Sequence, residues 1–163
     1  MSSVFKSHDL TLETKIRLLK CYVYSMLLYG VETWKLKAKT LSKLQYFELC
    51  SYRRILKIPW TDKVTNEQVL QRINTTVDLV NIVKDLKLQY LGHIMKKQGR
   101  YEILKCILQS KIEGKRAPGR RRISWLANLR AGYRKTSPQL FRIATNKVII
   151  ARMIANARNG RAP

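Results

Sequence analysis

Residues 76–97 read TVDLVNIVKDLKLQYLGHIMKK, and their apolar spacing decides the fold class. Val77, Val80, Ile82, Val83, Leu86, Leu88, Leu91 and Ile94 recur mostly three or four positions apart, which lines one face of a helix. A strand would need alternation by two. The spacing predicts a helix from near Thr76 towards Lys97. Gly92 is expected to weaken its end, by about 1 kcal/mol relative to alanine, and Gly99 to break it.

The same period recurs on both sides. Upstream, Asp9 or Thr11 is placed to cap a helix to about Leu28, with Leu12, Ile16, Leu19, Val23, Met26 and Leu27 facing inward and Gly30 ending it. Val31–Lys37 reads as an extended link. Thr40 is placed to cap a helix over Leu41–Lys57, which Pro59 stops by excluding Ile58 from the helical region. Thr65 with Gln68 forms a capping box ahead of a short helix, Asn66–Ile73. Downstream, helices are expected over Tyr101–Leu108, Ile123–Leu129 and Pro138 to about Ala157, the last capped by Ser137 with Pro138 at the first helical position. These elements make an all-α chain, an irregular helical bundle with a basic Gly/Pro loop or short hairpin between the later helices. Three segments are expected, residues 1–62, 63–110 and 111–163.

Charge narrows the function classes. The chain of 163 residues carries 33 Lys+Arg against 10 Asp+Glu, a formal net charge of +23. Such an excess repels itself unless an anionic partner neutralises it. It is also uneven. Residues 1–94 hold 15 basic and 8 acidic residues, and residues 95–163 hold 18 and 2. The second half is the expected electrostatic footprint, with RNA and/or DNA as the partner. A membrane partner is not expected. The longest uncharged apolar run, Cys21–Val31, is far shorter than the roughly 20 residues a spanning helix needs. Met1–Leu10 has no apolar signal core, and the three separated cysteines Cys21, Cys50 and Cys106 form no CxxC or CxxH pair. Buried, reduced thiols in an intracellular compartment are the expectation.

The charge peaks at Lys111–Arg122 (KIEGKRAPGRRR), with six basic residues, two glycines and a proline. Glycine lets the backbone approach a phosphate closely. The arginine fork bonds phosphate oxygens in pairs. Lys115, Arg116, Arg120, Arg121 and Arg122 are therefore candidate phosphate contacts, and Arg130 lies just downstream. Trp125 offers a face for a base, or serves as a core anchor. The run also reads as a nuclear address or a solvated loop. A second cluster is Arg53, Arg54, Lys57 and Trp60. Arg53 and Lys57, four apart, would share a helix face and grip a backbone, or form a solvated face with Trp60 packed beneath.

Catalysis finds little support. His93 has no Ser, Cys or carboxylate at a useful spacing and reads as structural, and His8 has only its neighbour Asp9. The carboxylates are scattered singly with no Asp-Asp pair, whereas two-metal nucleotidyl transfer needs them clustered. No cofactor or metal site is expected.

At these residues the chain resembles the C-terminal part of the endonuclease–reverse transcriptase of non-LTR retrotransposons. The resemblance is carried by Leu27-Leu28-Tyr29-Gly30-Val31-Glu32-Thr33-Trp34, Tyr52-Arg53-Arg54-Ile55-Leu56 and Asn66-Glu67-Gln68-Val69-Leu70. It continues through Leu88-Gln89-Tyr90-Leu91-Gly92-His93-Ile94, Gly114–Arg122, Ser124-Trp125-Leu126, Asn128-Leu129-Arg130 and Ile154–Gly160. Each stretch alone is weak, and the ordered series is specific. The resemblance implies that Thr11–Leu28 is similar to a later helix of the thumb, which grips template–primer duplex. It also implies that Lys115–Arg122 belongs to a basic extension holding RNA or DNA. The family's Tyr-x-Asp-Asp box, endonuclease domain and first thumb helix would lie upstream and are missing from this sequence, as in a 5′-truncated genomic copy. The expected function is thus a non-catalytic nucleic-acid-binding fragment, intracellular, with the nucleus as a candidate destination through residues 115–122. Full-length element proteins are candidate partners. Open alternatives are an RNA-directed DNA polymerase and a relic with no independent function. Loss of the first thumb helix would leave the Ile16–Val23 stripe partly exposed.

Overall fold

A computed structural model describes residues 5, 9–74, 79–97, 99–109, 118–119 and 124–158. The chain is all-α, with no strand among the described residues. It divides into two compact units, Met1–Val31 with Lys37–Val80, and Glu32–Leu36 with Asn81–Pro163. Hydrogen bonds from Trp125 and Asn128 tie residues 32–36 into the second unit. The link is not extended throughout, since Val31–Thr33 forms a 3-10 turn.

The first unit opens on α1 (Leu12–Leu18), capped by Thr11, whose Oγ1 accepts from the Thr14 N–H. The expected uninterrupted α-helix does not form. Leu19–Tyr24 is a π-helical turn, and α2 is only Ser25–Leu27. The extra residue changes the inward set. Leu19 and Tyr24, five apart, are each 2% exposed, while Val23 is only half-buried and Met26 is 78% exposed. Ile16 is likewise half-buried, so the Ile16–Val23 stripe is partly covered.

Helix α3 (Ala38–Ile55) packs on α1 and on α4 (Asn66–Ile73). It begins ahead of the expected cap at Thr40, since the Thr40 and Leu41 N–H groups already bond the Lys37 carbonyl. It ends at Ile55 rather than Lys57. Lys57 takes a left-handed φ of 56°, and the Ile58 N–H returns to the Arg53 carbonyl, a Schellman-type closure. The capping box at α4 forms as expected, Thr65 and Gln68 each bonding the other's backbone.

The core of the first unit is organised around an acid. Glu48 is fully buried, and its Oε1 accepts from the Tyr24 hydroxyl at 3.2 Å and the Tyr52 hydroxyl at 2.9 Å. Its Oε2 accepts the Leu79 N–H at 3.0 Å, at the start of α5 (Leu79–Lys96). The π-turn is what brings Tyr24 to this group, because a regular turn would have turned Val23 inward.

The second unit takes the remainder of α5, then α6 (Glu102–Leu108), α7 (Trp125–Tyr133), α8 (Ser137–Ala144) and α9 (Lys147–Arg158). The expected single C-terminal helix is two. Asn146 accepts from the Val148 N–H at 2.9 Å and so caps a new start. The cap of α8 is Thr136, paired with Gln139, one residue before the expected Ser137, and Pro138 accordingly sits in the second helical position. Leu88, Leu91, Leu129, Tyr133, Leu140, Ile150 and Met153 form its core. Gly92 is buried in the last part of α5, where an added Cβ would stand 2.5 Å from the Ile150 Cδ1 and 3.4 Å from the Ala144 carbonyl oxygen. Glycine there permits a close approach of packed segments. The expected burial of the thiols also fails for Cys21 and Cys106, which are exposed.

A second buried acid ties this unit. Asp85 on α5, 4% exposed, accepts from the Tyr133 hydroxyl at 2.9 Å and pairs with Arg158, whose Nε and Nη2 each lie 2.9 Å from Oδ2. Also on α5, Lys87 is fully buried, donating to the Trp34 carbonyl with its Nζ 4.7 Å from the Trp125 ring centre.

These buried groups are open to test by substitution and by pH. Glu48→Ala leaves two buried hydroxyls and one N–H without their acceptor, at about 1–3 kcal/mol each. Urea denaturation should therefore show a loss of about 3 kcal/mol or more, and a loss under about 1 kcal/mol would refute the hub. The second test varies pH. Burial lowers the Lys87 pKa from 10.5 to about 8. Between those values the unfolded chain holds a proton that the folded chain has released, so stability rises with pH, by at most about 1.4 kcal/mol per unit. Tyr24 and Tyr133 act in the opposite sense. Their phenol pKa values are raised, first by burial and then by neighbouring groups including Glu48 and Asp85. Their contribution is complete below the ordinary phenol pKa of about 10 and is lost above it. Urea midpoints should peak near pH ~10, and Lys87→Met should remove the rise while keeping the fall.

Candidate nucleic-acid interface

The residues expected to meet phosphate fall into three places. Lys115, Arg116, Arg120, Arg121 and Arg122 lie outside the described residues. Within that run Pro118 and Gly119 are described, and both are exposed. Gly119 has φ 133°, a conformation that favours glycine.

Trp125 sits at the start of α7, where Ser124 caps the helix through the Leu126 N–H. Its indole N–H donates to the Glu32 carbonyl at 2.8 Å. Its face is covered by the Lys87 ammonium, and Tyr90 packs edge-on at 6.2 Å. A base stacking on that face would have to displace a buried lysine, so the geometry is that of the core anchor. Asn128 completes the arrangement. Its Nδ2 donates to the Leu36 carbonyl at 2.7 Å and its Oδ1 accepts the Leu36 N–H at 3.3 Å. Ser124–Asn128 is thus a clamp on residues 32–36, and two stretches far apart in the chain are one structural feature.

Arg130 is exposed on α7. With Arg134 and Lys135 it lines a shallow hollow of about 460 Å³ closed by Ala127, Ala131 and Thr136. Arg134 reaches this position through a left-handed φ of 50° at the end of α7. Sequence spacing did not single out Arg134 and Lys135, because they follow the helix rather than share its face. Three cations with no carboxyl in the lining suit a phosphate group.

The Arg53 cluster is divided in its roles. The Arg53 Nη2 donates to the Val64 carbonyl at 2.7 Å and to the Asn66 Oδ1 at 2.9 Å, so it holds the loop before α4. Arg54 is exposed. Lys57 lies past the helix end, so the shared face expected of Arg53 and Lys57 does not form. Trp60 is not packed beneath the helix. It is 95% exposed, in a 3-10 turn (Trp60–Asp62), beside a cleft of about 820 Å³ whose walls include Tyr46, Cys50, Arg53 and Lys63.

His93 is exposed and meets Tyr101 edge-on at 5.5 Å. Among the described residues, no group of three or more His, Cys, Asp or Glu side chains stands close enough to hold a metal ion. No helix there is long and apolar enough to cross a membrane. The roles of Glu48 and Asp85 as buried acceptors were not recognised from the sequence. The one signal was an acid within an apolar helix face. Leu44 and Tyr52, four residues to either side of Glu48, are buried, as is Leu88, three residues after Asp85.

Compared with known proteins, the chain matches no family model, no curated protein and no solved structure.

Proposed function

We propose that the chain binds RNA or DNA through the phosphate backbone, with little sequence preference and no chemistry of its own. The observation that carries this reading is the charge balance. Only 10 carboxyl residues stand against 33 cations, so the chain repels itself, and Arg54, Arg130 and Arg134 are exposed. A polyanion relieves that repulsion by releasing its counterions as it binds.

The resemblance to the thumb and post-thumb region of a non-LTR retrotransposon reverse transcriptase supports the same reading. On that reading the chain is a fragment of such an enzyme, with the catalytic carboxylates belonging to the parent's other domains. Residues 115–122 are then the strongest grip and also a nuclear address, and full-length element proteins are the natural protein partners.

Fluorescence anisotropy with duplex, hybrid and single-stranded ligands across a salt series tests this. Affinity should fall steeply with salt. Replacing Lys115, Arg116 and Arg120–Arg122 by alanine should lower the duplex salt slope by about four to five units. Binding that ignores salt, or no binding at low salt, would sink the proposal. Primer extension with Mg²⁺ separates it from the polymerase alternative, and the expected result is no product.

A further inference from the structure

The cleft beside Trp60 is the feature that backbone binding leaves unexplained. A tryptophan 95% exposed gains nothing for folding, since its ring stays in water. It lies directly after Pro59, whose fixed φ holds the chain extended into the 3-10 turn. The turn closes at Lys63, which takes a left-handed φ of 46°. Arg53 fastens the far end of this loop through Val64 and Asn66. The indole is therefore carried on a pinned loop.

A second aromatic, Tyr46, lines the same cleft and is 71% exposed. A hydrogen bond with Cys50, one turn along α3, raises its phenol pKa. Arg53 and Lys63 are the charged members of the lining, and no carboxyl is among them. The volume of about 820 Å³ is that of a small-ligand site. Two exposed aromatic rings with cations beside them match an unpaired base and its phosphate. Aromatic faces stack on any base, and lysine and arginine track the backbone. A duplex hides its base faces and could offer only phosphate.

We propose that this cleft takes an unpaired base of single-stranded RNA or DNA, stacked on Trp60, with Tyr46 as the second wall and Lys63 on the adjoining phosphate. The inference rests on the proposed nucleic-acid binding and adds a strand preference to it. The site would make the chain hold a single-stranded end or junction as well as duplex.

The test compares the intact chain with Trp60→Ala and Trp60→Phe, using single-stranded and duplex oligonucleotides of equal length, RNA and DNA. Trp60 is almost wholly exposed, so both variants should keep the wild-type melting transition. Trp60→Ala should weaken single-strand binding about five- to 150-fold, with Trp60→Phe retaining most of it. Duplex affinity and salt slope should be unchanged. Equal losses on single strand and duplex, or no loss on single strand, would overturn the slot while leaving the backbone-binding proposal standing. No binding of any ligand by the wild-type chain would overturn both. A dimer that Trp60→Ala converts to monomer would identify the occupant as a second copy of the chain and overturn the slot.

Discussion

The carboxyl group of Glu48 lies fully buried, with two tyrosine hydroxyls and a backbone N–H as its donors. Each donor comes from a different stretch of chain: the π-turn, α3 itself and the first residue of α5. A buried acid is costly unless its acceptor sites are filled, and filling them fixes the elements that supply the donors. The π-turn follows from this constraint. A regular helix would present Val23 at the contact, and valine has nothing to donate.

Asp85 plays the same part in the second unit, where Tyr133 and Arg158 bring α7 and α9 to α5. Asp85 gains a charged partner and Glu48 has tyrosine hydroxyls, but the logic is shared. Both acids sit on long helices, and both are withdrawn from the surface, as are the cations Lys15 and Lys87.

Aromatic residues divide in a similar way. Trp125 has its N–H bonded and its face covered, so its place in the basic-loop motif is structural, helping to fasten residues 32–36. Trp60 has a ring that stands in solvent. Both follow a helix-breaking or capping residue and both have basic neighbours, so their sequence settings look alike. What separates them is whether the fold delivers a carbonyl and a lysine to the ring.

Read alone, the sequence specifies the helical class, the Thr65–Gln68 capping box, a first-helix cap at Asp9 or Thr11 and the excess of positive charge. These depend on residues within a turn of each other, or on composition. Tertiary contacts set whatever depends on residues far apart. The π-turn answers to Glu48, the buried state of Lys87 answers to Trp34 and Trp125, and the glycine at position 92 answers to Ile150. The split of the C-terminal helix stands between these cases, since Asn146 was visible in the sequence but an unbroken apolar period ran across it. Arg53 shows the difference most plainly. Its spacing from Lys57 placed the two on one helix face, but the helix ended at Ile55 and the guanidinium turned to the Val64 carbonyl, because a backbone acceptor in a fixed loop holds it better than water does.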